Sequence, residues 1–108
     1  NDKLSALVAG IIQADILIIA SDIDGVYTDN PHLNPKAEFI HTVHNPSEIQ
    51  GFAHEKTSNL GTGGMTTKIH AAEICHRFGV EMWIVNGGHL GFITNALEGK
   101  VRFTKFLA

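Results

Sequence analysis

Apolar residues fall at Leu4, Leu7, Val8, Ile11 and Ile12, spaced i, i+3, i+4, i+7 and i+8, and this period predicts a helix over Asp2 to Ala14. Asn1 or Asp2 is a suitable N-cap for it. The pattern then changes. Asp15-Ile-Leu-Ile-Ile-Ala20 is a continuous apolar run of strand length, the mark of a strand covered on both faces, and Ser21-Asp22-Ile23-Asp24-Gly25 closes it with polar and turn residues. Asn30, Pro31, Asn34 and Pro35 then break any period, so a loop or irregular hairpin is expected from Val26 to Ala37. Glu38 to Val43 alternates weakly and predicts a short edge strand. Asn45-Pro46-Ser47-Glu48 reads as the entry to a short helix, with proline in its first turn.

A glycine-rich stretch, Gly61 to Gly64, leads into a helix that starts at Met65 or Thr66. Ile69, Ala72, Ile74, Cys75 and Phe78 form its apolar side, and Gly79 is a C-terminal stop. Val80 to Val85 is a second buried-type strand ending in Asn86-Gly87-Gly88. A short helix, Leu90 to Leu97, and a strand, Val101 to Leu107, follow. This order predicts an α/β protein with a mainly parallel sheet and helices on its faces. Ligands of such sheets bind beyond the carboxyl ends of the strands. Ser21-Asp22, the Gly61 to Lys68 segment and Asn86 to His89 all fall there.

Composition narrows the chemistry. A chain of 108 residues is one domain or less, and a net charge of −3 leaves no basic footprint for nucleic acid or anionic lipid. Phosphates must therefore be gathered by a few placed donors. The apolar stretch from Leu7 to Ala20 is interrupted by Gln13 and Asp15 and is too short to span a bilayer. Cys75 is the sole cysteine, so no internal disulfide forms, and it reads as a small buried hydrophobe in a cytoplasmic protein. The chain opens at Asn1, without Met, directly in a helical pattern, and is expected to be a piece of a longer polypeptide.

Gly61-Thr-Gly-Gly-Met-Thr-Thr-Lys68 is the sharpest chemical feature. Its glycines let backbone N–H groups approach an anion, the helix that follows adds donors and a partial positive charge, and Lys68 supplies a cation one turn on. The P-loop pattern does not fit, because Thr66 stands where that pattern has its second glycine. The alternative reading is a loop whose glycines only relieve a tight turn. Asn1-Asp2 and Ser21 to Gly25 form a second polar group: its carboxylates can orient a lysine, hold magnesium or accept hydrogen bonds from a nucleotide, or simply cap a helix and close a turn. The seven histidines show no His-x-x-x-His spacing, and no metal site is expected. Trp83 reads as core.

Asn1 to Ala9, Ser21 to Thr28 with Asn30-Pro31, and Gly61 to Lys68 together resemble the glutamate 5-kinases of the amino-acid kinase superfamily, in order and in spacing. Asp24-Gly25-Val26-Tyr27 is shared across that superfamily; the Gly61 to Met65 segment with Thr67-Lys68, and Asn1 to Leu7, are more particular to the glutamate kinases. The resemblance implies a three-layer α/β/α sandwich and ATP-dependent phosphorylation of the γ-carboxylate of L-glutamate, the first step toward proline. It implies that Asn1 binds glutamate and that Asp2 and Lys68 are catalytic, the carboxylate organising the lysine and the lysine stabilising the transferring phosphoryl group. ATP is expected at Ser21, Asp22, Thr62, Gly63, Gly64, Met65, Thr66, Thr67 and Lys68, with Mg2+ held mainly through the ATP phosphates.

By the same resemblance, residues 1–108 are the nucleotide-binding C-terminal half of a kinase domain whose N-terminal half would be a partner. The chain alone is expected to be inactive, because phosphoryl transfer needs groups from both halves. A homo-oligomer is expected, since a halved sheet exposes an edge and apolar helix faces. Another kinase of the superfamily, acting on acetylglutamate or isopentenyl phosphate, and a non-catalytic nucleotide-binding fragment are the alternatives.

Overall fold

A computed structural model describes residues 1–52 and 64–108. Its elements run α1 (Asp2–Ile11), β1 (Ile16–Ser21), β2 (Val26–Tyr27), β3 (Phe39–Ile40), β4 (Thr42–Val43), a 3₁₀ helix (Pro46–Phe52), α2 (Met65–Phe78), β5 (Glu81–Asn86), α3 (Phe92–Leu97) and β6 (Thr104–Phe106). The main sheet has the order β1-β5-β6-β4, and β2 and β3 form a separate two-stranded sheet. β1 and β5 lie parallel, with Ile16 opposite Glu81 and Ser21 opposite Asn86.

The predicted mainly parallel sheet is present, with one reversal: β6 runs antiparallel to β5, and β4 parallel to β6. The length of α3 accounts for this. Six residues of helix rise about 9 Å, against about 20 Å for a six-residue strand, too little to carry the chain back to the start of β5.

Alternation along β5 builds three layers. Met82 and Ile84 join the core formed with Ala6 and Ala9 of α1 and Ile69, Ala72 and Cys75 of α2, while Trp83 and Val85 face Ala96 and Phe92 on the other side. Gly79 ends α2 in the left-handed conformation at φ 73°, and its N–H reaches back to the last helical carbonyls. Cys75 is buried as expected, and burial pushes its thiol from the ordinary 9.0 up to about 11. Trp83 is core, its indole N–H donating to Glu81.

α1 departs from the simple reading of its periodicity. The helix turns its small residues, Ala6, Ala9 and Gly10, toward α2, and its large apolar stripe outward: Leu4, Val8, Ile11 and Ile12 are 58%, 48%, 75% and 68% exposed. Close helix packing explains the inward face, since a Cβ at Gly10 would stand 2.3 Å from the Phe78 ring.

The segment expected to be one edge strand is two. Phe39–Ile40 pairs with the hairpin partner β2, and Thr42–Val43 joins the main sheet beside β6. The fully buried Thr104 couples the two sheets: its hydroxyl accepts from Val26 N at 2.9 Å and donates to Ile40 O at 2.6 Å. Only glycine fits beside it, because a Cβ at Gly25 would meet Thr104 Oγ1 at 2.2 Å.

Candidate functional site

α1 precedes β1, and α2 precedes β5, each through a short turn, so both helices run antiparallel to the strand that follows them. Their N-termini therefore stand at the end of the sheet where β1 and β5 finish in Ser21 and Asn86. Of the three polar clusters expected at that end, the structure shows two and the helical part of the third. Thr62 and Gly63, predicted to bind ATP, lie outside the described residues together with 53–61, which include His54.

Asp2 is the first residue of α1 and Lys68 lies in the opening turn of α2. Lys68 Nζ stands 3.3 Å from Asp2 Oδ2, and Lys68 is only 8% exposed. Thr67 Oγ1 lies 3.3 Å from the same carboxylate oxygen and 2.8 Å from the Gly64 carbonyl. Asn1 caps α1 through its carbonyl, which accepts from the Ser5 N–H and hydroxyl; its own side chain makes no capping bond. Asn1 is exposed, next to Asp2. α2 opens without an acidic residue, its first N–H groups lack helical acceptors, and among the described residues a Cβ at Gly64 would meet nothing within 4 Å. Free N–H groups at a helix N-terminus are suited to hold an anion. Met65 packs partly against the core, so what it can present to a ligand is its backbone N–H.

At the strand ends, Ser21 Oγ donates to Asp22 Oδ1 at 3.4 Å and accepts from Ile23 N at 3.3 Å. Gly87 N donates to Ser21 O at 2.9 Å, which ties the two strand ends together. Beside them is an open cleft of about 370 Å³ lined by Asp24, Asn86, Gly88, His89, Val101 and Arg102. Asp24 accepts from Asn86 Nδ2 and from Arg102 Nε, each at 3.3 Å. Arg102 also donates to the Tyr27 hydroxyl at 2.7 Å and lies 4.6 Å from the Phe39 ring centre. The sequence carried no signal for Arg102, which meets Asp24 across 78 positions of chain. Among the described residues, no three His, Cys, Asp or Glu side chains gather as a metal site. His32, His41, His44, His70 and His89 are exposed, and His76 Nδ1 lies 3.4 Å from Leu107 O.

A lysine held by a carboxylate thus stands at a helix N-terminus on the carboxyl edge of a three-layer α/β sheet. Residues 1–86 match the amino acid kinase family, and the chain belongs to that family. Among curated relatives, glutamate 5-kinase of Desulfitobacterium hafniense (strain Y51) is 44% identical over 100 residues, covering 93% of this chain and 27% of that protein. Glutamate 5-kinase of Yersinia enterocolitica is 42% identical over 109 aligned positions, covering 100% of this chain and 30% of that protein. The chain thus spans under a third of the length of these relatives. Among solved structures, UMP kinase from Ureaplasma parvum superposes with a TM-score of 0.72 at 22% identity, over 99% of this chain and 41% of that one. An isopentenyl phosphate kinase superposes with a TM-score of 0.70 at 28% identity, over 97% and 36%.

Proposed function

We propose that this chain supplies the ATP-side chemistry of a glutamate 5-kinase, which transfers the γ-phosphoryl group of ATP to the γ-carboxylate of L-glutamate as the first step of proline biosynthesis. The observation that carries the reading is the Asp2–Lys68 pair at the opening of α2. Asp2 fixes the ammonium where a transferring phosphoryl group would sit against the helix end, and Lys68 offsets the charge that grows on that group. The α2 N–H groups and the 61–64 segment hold the phosphates, Ser21 and Asp22 contact the nucleotide at the end of β1, and Asn1 faces the glutamate. Mg2+, travelling with ATP, neutralises the phosphate charge, and no residue of this chain is assigned to it. The polypeptide that completes the site brings the remaining glutamate and phosphate contacts, and a cytoplasmic enzyme fits both the ATP requirement and the single buried thiol.

Identity of 42–44% to glutamate 5-kinases over nearly the whole chain favours glutamate as acceptor. Steady-state assays on a full-length polypeptide carrying this chain test the choice. ADP release with ATP and glutamate is expected, and release only with acetylglutamate or isopentenyl phosphate would overturn it. The 108-residue chain alone is expected to show no glutamate-dependent turnover. Calorimetry with ATP then separates a nucleotide-binding module from a fragment that binds nothing.

A further inference from the structure

We infer that Thr67 is a positioning residue for the Asp2–Lys68 pair and not a ligand of the nucleotide phosphates, an inference that rests on the kinase reading and deepens it. The Thr67 hydroxyl has one proton, and it faces two acceptors: Gly64 O at 2.8 Å and Asp2 Oδ2 at 3.3 Å. Both contacts turn Oγ1 back along its own helix turn and across to α1. Asp2 Oδ2 also takes Lys68 Nζ at 3.3 Å, so one carboxylate oxygen is bracketed by the side chains of two consecutive α2 residues.

This arrangement has a consequence for phosphoryl transfer. When Lys68 leans toward the transferring group, its hold on Asp2 weakens. The Thr67 hydroxyl can then donate fully to Oδ2, because the Gly64 carbonyl still accepts the N–H groups of Thr67 and Lys68 at 3.1 and 3.4 Å. Asp2 keeps its orientation through the step, and Lys68 has a fixed place to leave from and return to. A phosphate ligand at this position would have to give its single proton to the phosphate and leave Oγ1 facing both acceptors with no proton to donate.

The test uses a full-length kinase polypeptide carrying this chain. Thr67→Val keeps the shape and removes the donor; it is expected to lower kcat by roughly 10- to 100-fold, the worth of one hydrogen bond to a charged group. KM for ATP should stay within about twofold, and Thr67→Ser should restore most of kcat. A rise in KM for ATP at unchanged kcat, a Thr67→Ser variant as impaired as Thr67→Val, or two unchanged kinetic constants would each overturn the assignment. If Thr67→Val does not fold, Thr67→Cys, a weak donor of similar size, is judged on the same kinetic constants. Lys68→Ala is assayed alongside. Absence of glutamate-dependent turnover in the unsubstituted polypeptide overturns the kinase reading itself, and unaltered turnover in Lys68→Ala overturns the catalytic role of the Asp2–Lys68 pair. Loss of turnover in Lys68→Ala with wild-type kinetics in the Thr67 variants overturns only the role of Thr67.

Discussion

Lys68 Nζ and Asp2 Oδ2 meet at 3.3 Å across 66 positions of chain, joining the first turn of α2 to the first residue of α1. A cation at a helix N-terminus opposes the helix dipole, and a carboxylate at one is favoured by it. Asp2 opposite Lys68 offsets that opposition, and the burial of Lys68 makes the offset count for more. Such a lysine is suited to meet a phosphate: the helix end that disfavours it draws an anion in.

In the full-length polypeptide, Lys68→Ala should lower kcat by roughly 10²–10³-fold, the usual cost of removing one placed donor from a developing charge. Steady-state kinetics check this. An effect confined to KM for ATP would make Lys68 a binding residue with no part in the transition state.

Thr104→Val should destabilise the chain by about 1–3 kcal/mol, because it strands the buried N–H of Val26 and carbonyl of Ile40. Urea unfolding measures this, and Thr104→Ser should lie close to wild type. Gly25→Ala should also destabilise, through the clash with Thr104. Thr104→Ala removes the 2.2 Å contact with Oγ1 and leaves the one with Cβ at 2.9 Å, so the clash is partly relieved. The costs of Gly25→Ala and Thr104→Ala measured singly should therefore sum to more than that of the double variant.

Cys75 should resist iodoacetamide at pH 8 in the folded chain and react readily after unfolding, since burial raises its thiol to about 11. The sign for stability follows. Between the ordinary 9.0 and about 11, the unfolded thiol loses its proton while the folded one keeps it. The contribution is complete below pH 9 and falls by at most about 1.4 kcal/mol per pH unit above it. Urea midpoints at pH 8 and pH 10 should show this slope in the wild type, and Cys75→Ala should lack it.

The outward stripe of α1, Leu4, Val8, Ile11 and Ile12, should make the 108-residue chain self-associate and bind a hydrophobic dye such as ANS. Ile11→Lys should reduce both without loss of helical circular dichroism, because Ile11 is 75% exposed. Unchanged association would exclude the stripe as its cause.

Most of the element order was legible in the sequence. The runs 15–20 and 80–85 became β1 and β5 shifted by one residue, and Gly79 ended α2 where its freedom of φ predicted. These are local matters of side-chain period and backbone sterics. The face of α1 was not legible, since periodicity marks an apolar stripe without saying what covers it. The partner switch at His41 was hidden for a similar reason: it depends on the Thr104 hydroxyl, more than 60 positions away.

The candidate site divides in the same way. That residues 61–68 open a helix with glycines, hydroxyls and a lysine is a property of adjacent residues, and with Asn1-Asp2 and Ser21-Asp22 it was enough to point to the family. That Asp2 holds Lys68, that Thr67 turns to Asp2, and that Arg102 closes on Asp24, Tyr27 and Phe39 were decided by the packing of α1 on α2 and of the β2–β3 hairpin on the end of the sheet. Chain order sets which groups are available. Only the tertiary fold brings distant groups within the few ångströms at which a hydrogen bond or a charge pair acts.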